Sequence, residues 1–275
     1  MRGALRAVAC AAAAALGAAP ASADTPACLA ELFLQPARAV VGQAVEWRLE
    51  ILRRDDVQEV DWLEPPGFPG FRAEWLAGDV DTRPLERGGR RYRVTRERRV
   101  LFPARAGPLR IPEAALYCDL EAADGRRRVR VPVAEAALPV APLPDEGRPP
   151  GFTGLVGEVH VVTRLEPEVV ALGGSAGLWI LVQGLANLWA IDAPLREGDL
   201  PGAEVFAERP GLEIDAGRDL AVRRTFRYRL VPRRTGALEI PEVAIPYFDP
   251  ATGRYALARG PARTLRVEPE PAPEP

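Results

Sequence analysis

The sequence predicts an all-β protein made of two tandem immunoglobulin-like or fibronectin-like β-sandwich domains. Three observations carry that expectation. Short runs alternate apolar and polar residues with a period of two: Trp47, Leu49 and Ile51 against Glu46, Arg48 and Glu50, and Phe226, Tyr228 and Leu230 against Arg227 and Arg229. Gly 25 and Pro 29 together supply about a fifth of the 275 residues, which suits many turns rather than long helices. The chain also repeats itself: residues 101–116 (LFPARAGPLRIPEAAL) match residues 230–245 (LVPRRTGALEIPEVAI) at an offset of 129.

The flanks of the repeat keep their order. Gly42 to Trp47 resembles Gly174 to Trp179, Trp62 and Pro65 correspond to Trp189 and Pro194, and Gly125-Arg126 parallels Gly253-Arg254. Each copy then holds about seven short strands in about 115 residues, the arithmetic of a sandwich. Within the repeated G-x-L-x-I-P-E segment, Gly permits a turn, Leu and Ile share one face, and Pro interrupts pairing.

Along the chain, residues 1–23 read as a signal peptide. Arg2 and Arg6 precede an Ala-rich stretch, and Ala21-Ser22-Ala23 is a small-x-small cleavage site. Residues 24–138 form the first sandwich and residues 139–150 a Pro-rich extended linker. Residues 151–267 form the second sandwich, and residues 268–275, ending in PEPAPEP, a disordered tail. Alternating Val129, Val131 and Val133 belong to the first copy; Asp124-Gly125 and Asp249 to Gly253 are its and the second copy's hairpin turns. Residues 169–191 carry no charge and are long enough to cross a membrane. The glycines within them and the repeat argue instead for a strand, Leu178 to Val182, buried on both faces, followed by a bend from Gly184 to Asn187.

The residues exclude most chemistry. Formal net charge is −2, and cleavage of the signal leaves 34 arginines, no lysine and 38 acidic residues. That balance argues against nucleic-acid binding. The lone His160 beside Glu158 reads as a surface histidine, Asp55-Asp56 beside Arg53-Arg54 as a solvated turn, and Gly173 to Gly177 as a turn rather than a phosphate cradle. No nucleophile motif, dinucleotide fingerprint or zinc-ligand spacing is present, so no enzyme, cofactor or metal is expected. Cys28 and Cys118 remain after export; they either bridge or sit as buried thiols. Residues 87–99 hold seven arginines, among them Arg91 and Arg93, which either form a basic face for an acidic partner or simply balance the acidic residues. Trp189, Tyr247 and Phe248 are candidate partner anchors, with a role in closing the end of the second sandwich as the competing reading for the Tyr247 cluster.

The second copy resembles a known family. Leu230-Val231-Pro232, Gly236, Ile240-Pro241, Tyr247-Phe248-Asp249-Pro250 and Tyr255 look like the hallmark of the BatD, or oxygen-tolerance, proteins. Phe152-x-Gly154-x-Val156-Gly157 and Gly184-x-x-Asn187-Leu188 resemble that family's domain start and its G-N-L turn, the latter spaced more widely than usual. The resemblance covers roughly residues 28–268. It implies a periplasmic, non-catalytic scaffold of an envelope complex linked to oxygen tolerance or stress. Its partners would be envelope proteins, von Willebrand A-domain membrane proteins of a MoxR-associated system in particular, with membrane association peripheral at most. Members usually continue into a C-terminal membrane helix; this sequence shows none before Pro275, so a short form is expected. The alternative from another class is a secreted carbohydrate-binding or adhesin-like β-sandwich module.

Overall fold

The computed structural model describes residues 26–77, 79–122, 125–196 and 198–270. The signal-peptide reading (1–23), Asp124 and the end of the tail (271–275) lie outside those residues.

The first sandwich contains β1 (Cys28–Gln35), β2 (Ala39–Val40), β3 (Val45–Arg53), β4 (Val57–Glu64), β5 (Phe71–Trp75) and β6 (Asp79–Arg87). It continues with β7 (Arg90–Pro103), β8 (Gly107–Ile111), β9 (Ala114–Ala122), β10 (Gly125–Val133) and β11 (Ala136–Ala141). One sheet has the order β1-β3-β7-β5, with β6 also paired to β7. The facing layer is β10-β9-β4, extended by β2-β11-β8. This is the strand order of a constant-type immunoglobulin sandwich.

The I-P-E segment acts as a hinge in a strand pair. Ile111 stands opposite Ala136 and Ala114 opposite Val133, so Pro112 and Glu113 face Ala134 and Glu135 across an interruption two residues long on each side. Pro112 has no N–H to donate, and the ladder is broken where that matters least. β8 and β9 are thus two halves of one bent strand, as are β10 and β11.

The second sandwich repeats the plan with β12 (His160–Glu166), β13 (Val169–Ala171), β14 (Ala176–Gly184), β15 (Ala203–Ala207) and β16 (Gly211–Ala216). It ends with β17 (Leu220–Pro232), β18 (Gly236–Ile240), β19 (Val243–Asp249), β20 (Arg254–Gly260) and β21 (Arg263–Glu268). Its sheets are β12-β14-β17-β15 with β16 on β17, β13-β21-β18, and β19-β20. The same interruption recurs between Ile240↔Arg263 and Val243↔Gly260. One element differs. Where β4 would follow, the chain instead makes a 3-10 turn at Leu188–Ala190.

Two core clusters match the two copies. The first gathers around Trp47, Leu49, Leu101, Leu109 and Leu138, all at most 1% exposed. The second is built on Leu178, Ile180, Val182, Phe226, Leu230 and Leu265, and it also takes in Leu76, Val100 and Phe102 from the first sandwich.

The structure corrects two sequence expectations. β14 is not buried on both faces: Leu178, Ile180 and Val182 are buried, whereas Trp179 and Leu181 are half-exposed. It is central in an antiparallel sheet with one face to the core, and its other face is covered by side chains such as Arg164, 6.0 Å from the Trp179 ring. Part of the Pro-rich linker is strand, because β11 runs through Pro139 to Ala141, between β2 and β8. The remainder is held to the second sandwich: the Tyr255 hydroxyl donates to the Pro144 carbonyl at 2.6 Å, and Arg148 Nε donates to the Tyr255 hydroxyl at 3.2 Å.

Candidate functional site at the domain junction

Trp189 leaves the 3-10 turn and packs against the first sandwich. Its ring meets Phe102 of β7 edge-on, with centroids 4.8 Å apart, and the Arg72 guanidinium of β5 lies 4.2 Å from its centroid. Trp189 is therefore not a free surface anchor. It is the plug between the domains, seated where β7 presents Val100 and Phe102 on the face away from its own core. Main-chain bonds add to the lock: the Ala77 N–H donates to the Ala216 and Gly217 carbonyls at 3.2 and 3.1 Å, and Arg98 Nη1 donates to the Arg218 carbonyl at 2.6 Å.

The turn is oriented by Asn187, 7% exposed. Its Oδ1 accepts from the Val156 N–H at 2.6 Å, and its Nδ2 donates to the Gly154 carbonyl at 2.9 Å. The G-N-L turn and the Phe152 to Gly157 lead-in, separate motifs in the sequence, are thus two halves of one clamp. Gly157 is required there, because a Cβ would stand 2.2 Å from the Leu185 carbonyl oxygen, and its φ is +132°. Gly42 of the first sandwich approaches the same clamp, at a φ of +80°, with its would-be Cβ 2.8 Å from Asn187 Nδ2.

Beside this lock the domains leave a cleft of about 500 Å³, a volume typical of ligand sites, which favour domain interfaces. Ala44, Leu76, Val100, Leu185 and Leu220 make its apolar lining. Gln35, Glu46, Arg98 and Asp219 form its polar part, with Arg98 Nε donating to Glu46 at 2.7 Å. Leu185 is 43% exposed, an apolar side chain held at the mouth of the cleft. Arg98 and Glu46 pair with each other, and among the cleft's lining residues no Ser, Cys or Thr stands beside a base.

The other sequence candidates fall elsewhere. Phe248 is buried and Tyr247 half-buried. Phe248 and Phe152 both pack edge-on against Tyr255, at 5.2 and 5.0 Å. These three rings bury Phe248, and Tyr247 packs part-buried against the second core cluster instead, so Phe248 is not a free anchor and Tyr247 is only partly open. Arg93 donates to Asp55 at 2.8 Å, Arg96 to Glu50 at 3.0 Å, and Arg87 pairs with Glu31. The arginine run is therefore largely matched by carboxylates on neighbouring strands and loops; Arg91 is exposed at the end of β7. Asp56 accepts from Arg54, which holds its carboxyl below the usual range, and His160 is exposed beside Glu158 at 3.0 Å. Among the described residues no group of three or more His, Cys, Asp or Glu is placed to hold a metal ion. Cys28 and Cys118 form a disulfide between β1 and β9, with Cα atoms 6.6 Å apart.

One arrangement was missed in the sequence. Trp47, Arg99 and Trp75 occupy one row across β3, β7 and β5. The Arg99 guanidinium lies 3.4 Å from the Trp75 centroid and 5.1 Å from that of Trp47. Arg99 is 3% exposed, and this burial lowers its pKa against the pull of Glu97. Glu97 accepts from Trp62 Nε1 at 3.1 Å. Trp75 remains 62% exposed over its buried cation. The alternation of β7 did place Arg99 on the core side, beside Leu101, but a charge at such a position carries no sequence signal of the aromatic stack that accepts it.

No protein-family model matches the chain, and no curated protein is similar to it. Among solved structures, the adhesin InvE of Yersinia pseudotuberculosis aligns at 10% identity with a TM-score of 0.18, covering 84% of this chain and 58% of that one. No helix among the described residues is long and apolar enough to cross a membrane.

Proposed function

We propose that this protein is a non-catalytic binding scaffold of the bacterial envelope, accessory to a BatD-like complex linked to oxygen tolerance or stress and exported to the periplasm. The observation that carries the reading is the locked junction. Trp189, Asn187 and the Ala77 and Arg98 bonds hold two sandwiches in one arrangement, and the cleft beside them offers apolar side chains in a fixed frame. Preorganised surfaces of this kind bind without a large ordering cost. The partner class implied by the family resemblance is a von Willebrand A-domain membrane protein. A photo-crosslinker placed at Leu185 in intact cells is expected to yield an adduct with such a protein. If adducts contain no envelope protein with that domain, the scaffold reading fails.

The adhesin-like or carbohydrate-binding reading is favoured by one observation, the open ring of Trp75. Trp189 and Tyr247 are part-buried against the second core cluster, which leaves Trp75 the more open ring. Glycan binding by the whole protein that disappears in Trp75→Ala would support this second reading over the first.

A further inference from the structure

We infer that the open edge of β19 is a docking slot for an extended segment of a partner polypeptide, which adds to the second sandwich as a short strand. The first sandwich shows what this edge takes. There β4 pairs with β9 from Glu64↔Ala115 and Trp62↔Leu116 to Val57↔Leu120. The second copy has lost that strand, because its counterpart was diverted into the 3-10 turn that sends Trp189 to the junction. Only one end of the edge is refilled: the Phe248 N–H donates to the Leu155 carbonyl at 2.9 Å, and its carbonyl accepts from the Gly157 N–H at 3.1 Å.

Among the described residues the rest of the edge has no strand partner. Ala115 is 0% exposed, but its repeat mate Ala244 is exposed. The pleat fixes the direction of the free groups: Phe248 points its N–H and C=O outward, so Pro246 and Ala244, two and four residues earlier, do the same. No main-chain bond to this edge from Ala244 or Pro246 is present among the described residues. A groove of about 400 Å³ lies against it, lined by Ala244, Ile245 and Pro246 of the edge together with Phe152, Ile191 and Pro194. Asp192 and Arg196 stand among its lining residues as the only charges.

These features define the occupant. Strand addition supplies main-chain bonds for affinity and pockets for alternate side chains. Pro246 has no N–H, so Ala244 alone both donates and accepts, which fixes one register and guards the edge against indiscriminate pairing. The groove between Phe152 and Ile191 takes an uncharged, apolar side chain from the added segment. This inference deepens the scaffold reading and rests on it, since it names an extended polypeptide as one thing the scaffold holds.

The probe is a displayed library of random linear peptides panned on the whole protein. Enriched peptides are expected to alternate apolar residues and to slow hydrogen exchange at the Ala244 amide at least tenfold. They should bind Ala244→Pro, which removes the one donor, at least tenfold more weakly. Should that variant misfold, N-methylation of alternate amides in the enriched peptide makes the same test on the unaltered protein. No enriched sequence, or peptides indifferent to both changes, overturns the proposal. A concentration-dependent dimer abolished by Ala244→Pro also overturns it, by giving the slot to a second copy of the chain. Failure here leaves crosslinking at Leu185 untouched, so the two readings fall separately.

Discussion

The two sandwiches solve the same packing problems with different chemistry at matching positions. In the first, Cys28 on β1 and Cys118 on β9 are covalently joined across the layers. Tyr247 matches Cys118 in the repeat, and Val159 stands seven residues before the end of β12 as Cys28 stands seven before the end of β1; both lie in or against the second hydrophobic cluster. The cross-strand pair next along β9 and β10 is Asp119 with Arg128, held by two hydrogen bonds of 2.8 Å. In the second copy the equivalent pair is Phe248 with Tyr255, rings 5.2 Å apart. A duplicated fold thus fixes where residues meet but not what they are. The first copy uses a covalent and an ionic contact; the second uses apolar burial at the same sites and spends its β4 segment on gripping its neighbour.

The sharpest way to break this comparison is to remove the disulfide. It closes a loop of 90 residues, and chain-entropy arguments put its contribution at about 4 kcal/mol. Cys28→Ser with Cys118→Ser should therefore lower the stability of the first sandwich by about 4 kcal/mol. Denaturant unfolding followed by hydrogen exchange separates the copies: amides of β3 and β7 should lose protection, while those of β14 and β17 keep theirs. Equal loss in both would mean that the two sandwiches unfold as one unit.

A smaller effect is expected at the junction. Trp189→Ala removes an edge-on aromatic pair, a cation–π contact and part of a buried surface, together about 3 kcal/mol of docking. Its sequence counterpart Trp62 serves only the first sandwich, through β4 and Glu97. The radius of gyration in small-angle scattering should rise in Trp189→Ala and stay unchanged in Trp62→Ala. An unchanged radius in both would show that the main-chain bonds from Ala77 and the Arg98 contact hold the domains without the plug.

Much of this fold was legible in the sequence. The offset of 129 and the period-two alternation depend on local spacing, and they placed β3, β8, β10, β17 and β18 correctly. The role of Pro112 and Pro241 as interruptions followed from their missing N–H. The candidate site was much less legible, for a physical reason: its parts meet across long separations. Trp189 aligned with Trp62 in the repeat, so nothing local distinguished a strand residue from an interdomain plug. The sequence left the arginine run open between a basic face and simple charge balance, because its neutralising partners, Glu46, Glu50 and Asp55, come from other strands and loops and reach it only through pairing and loop packing. The loss of β4 from the second copy was hidden for the same reason. An absent strand leaves an edge, and an edge is a property of the sheet.

The smallest effect concerns acid. Hydrogen bonds from Arg128 hold the Asp119 carboxyl below its usual pKa of 3.8, against the opposing effect of desolvation. A carboxyl depressed in the folded state adds stability that is present above the unfolded pKa and lost as pH falls through the folded one. The first sandwich should thus weaken as pH falls below the usual carboxyl pKa of 3.8, whereas Phe248 and Tyr255 at the matching site carry no carboxyl. Arg128 is 58% exposed on its side chain, so the contribution is screened and should shrink further in high salt. Asp119→Asn should flatten the acid dependence of first-sandwich protection without abolishing it, because Asp56, held low by Arg54, lies in the same domain. Second-sandwich protection should not respond to the change. If Asp119→Asn leaves the acid slope of the first sandwich intact, the pair is only a surface contact, and the contrast with the aromatic pair is one of packing rather than charge.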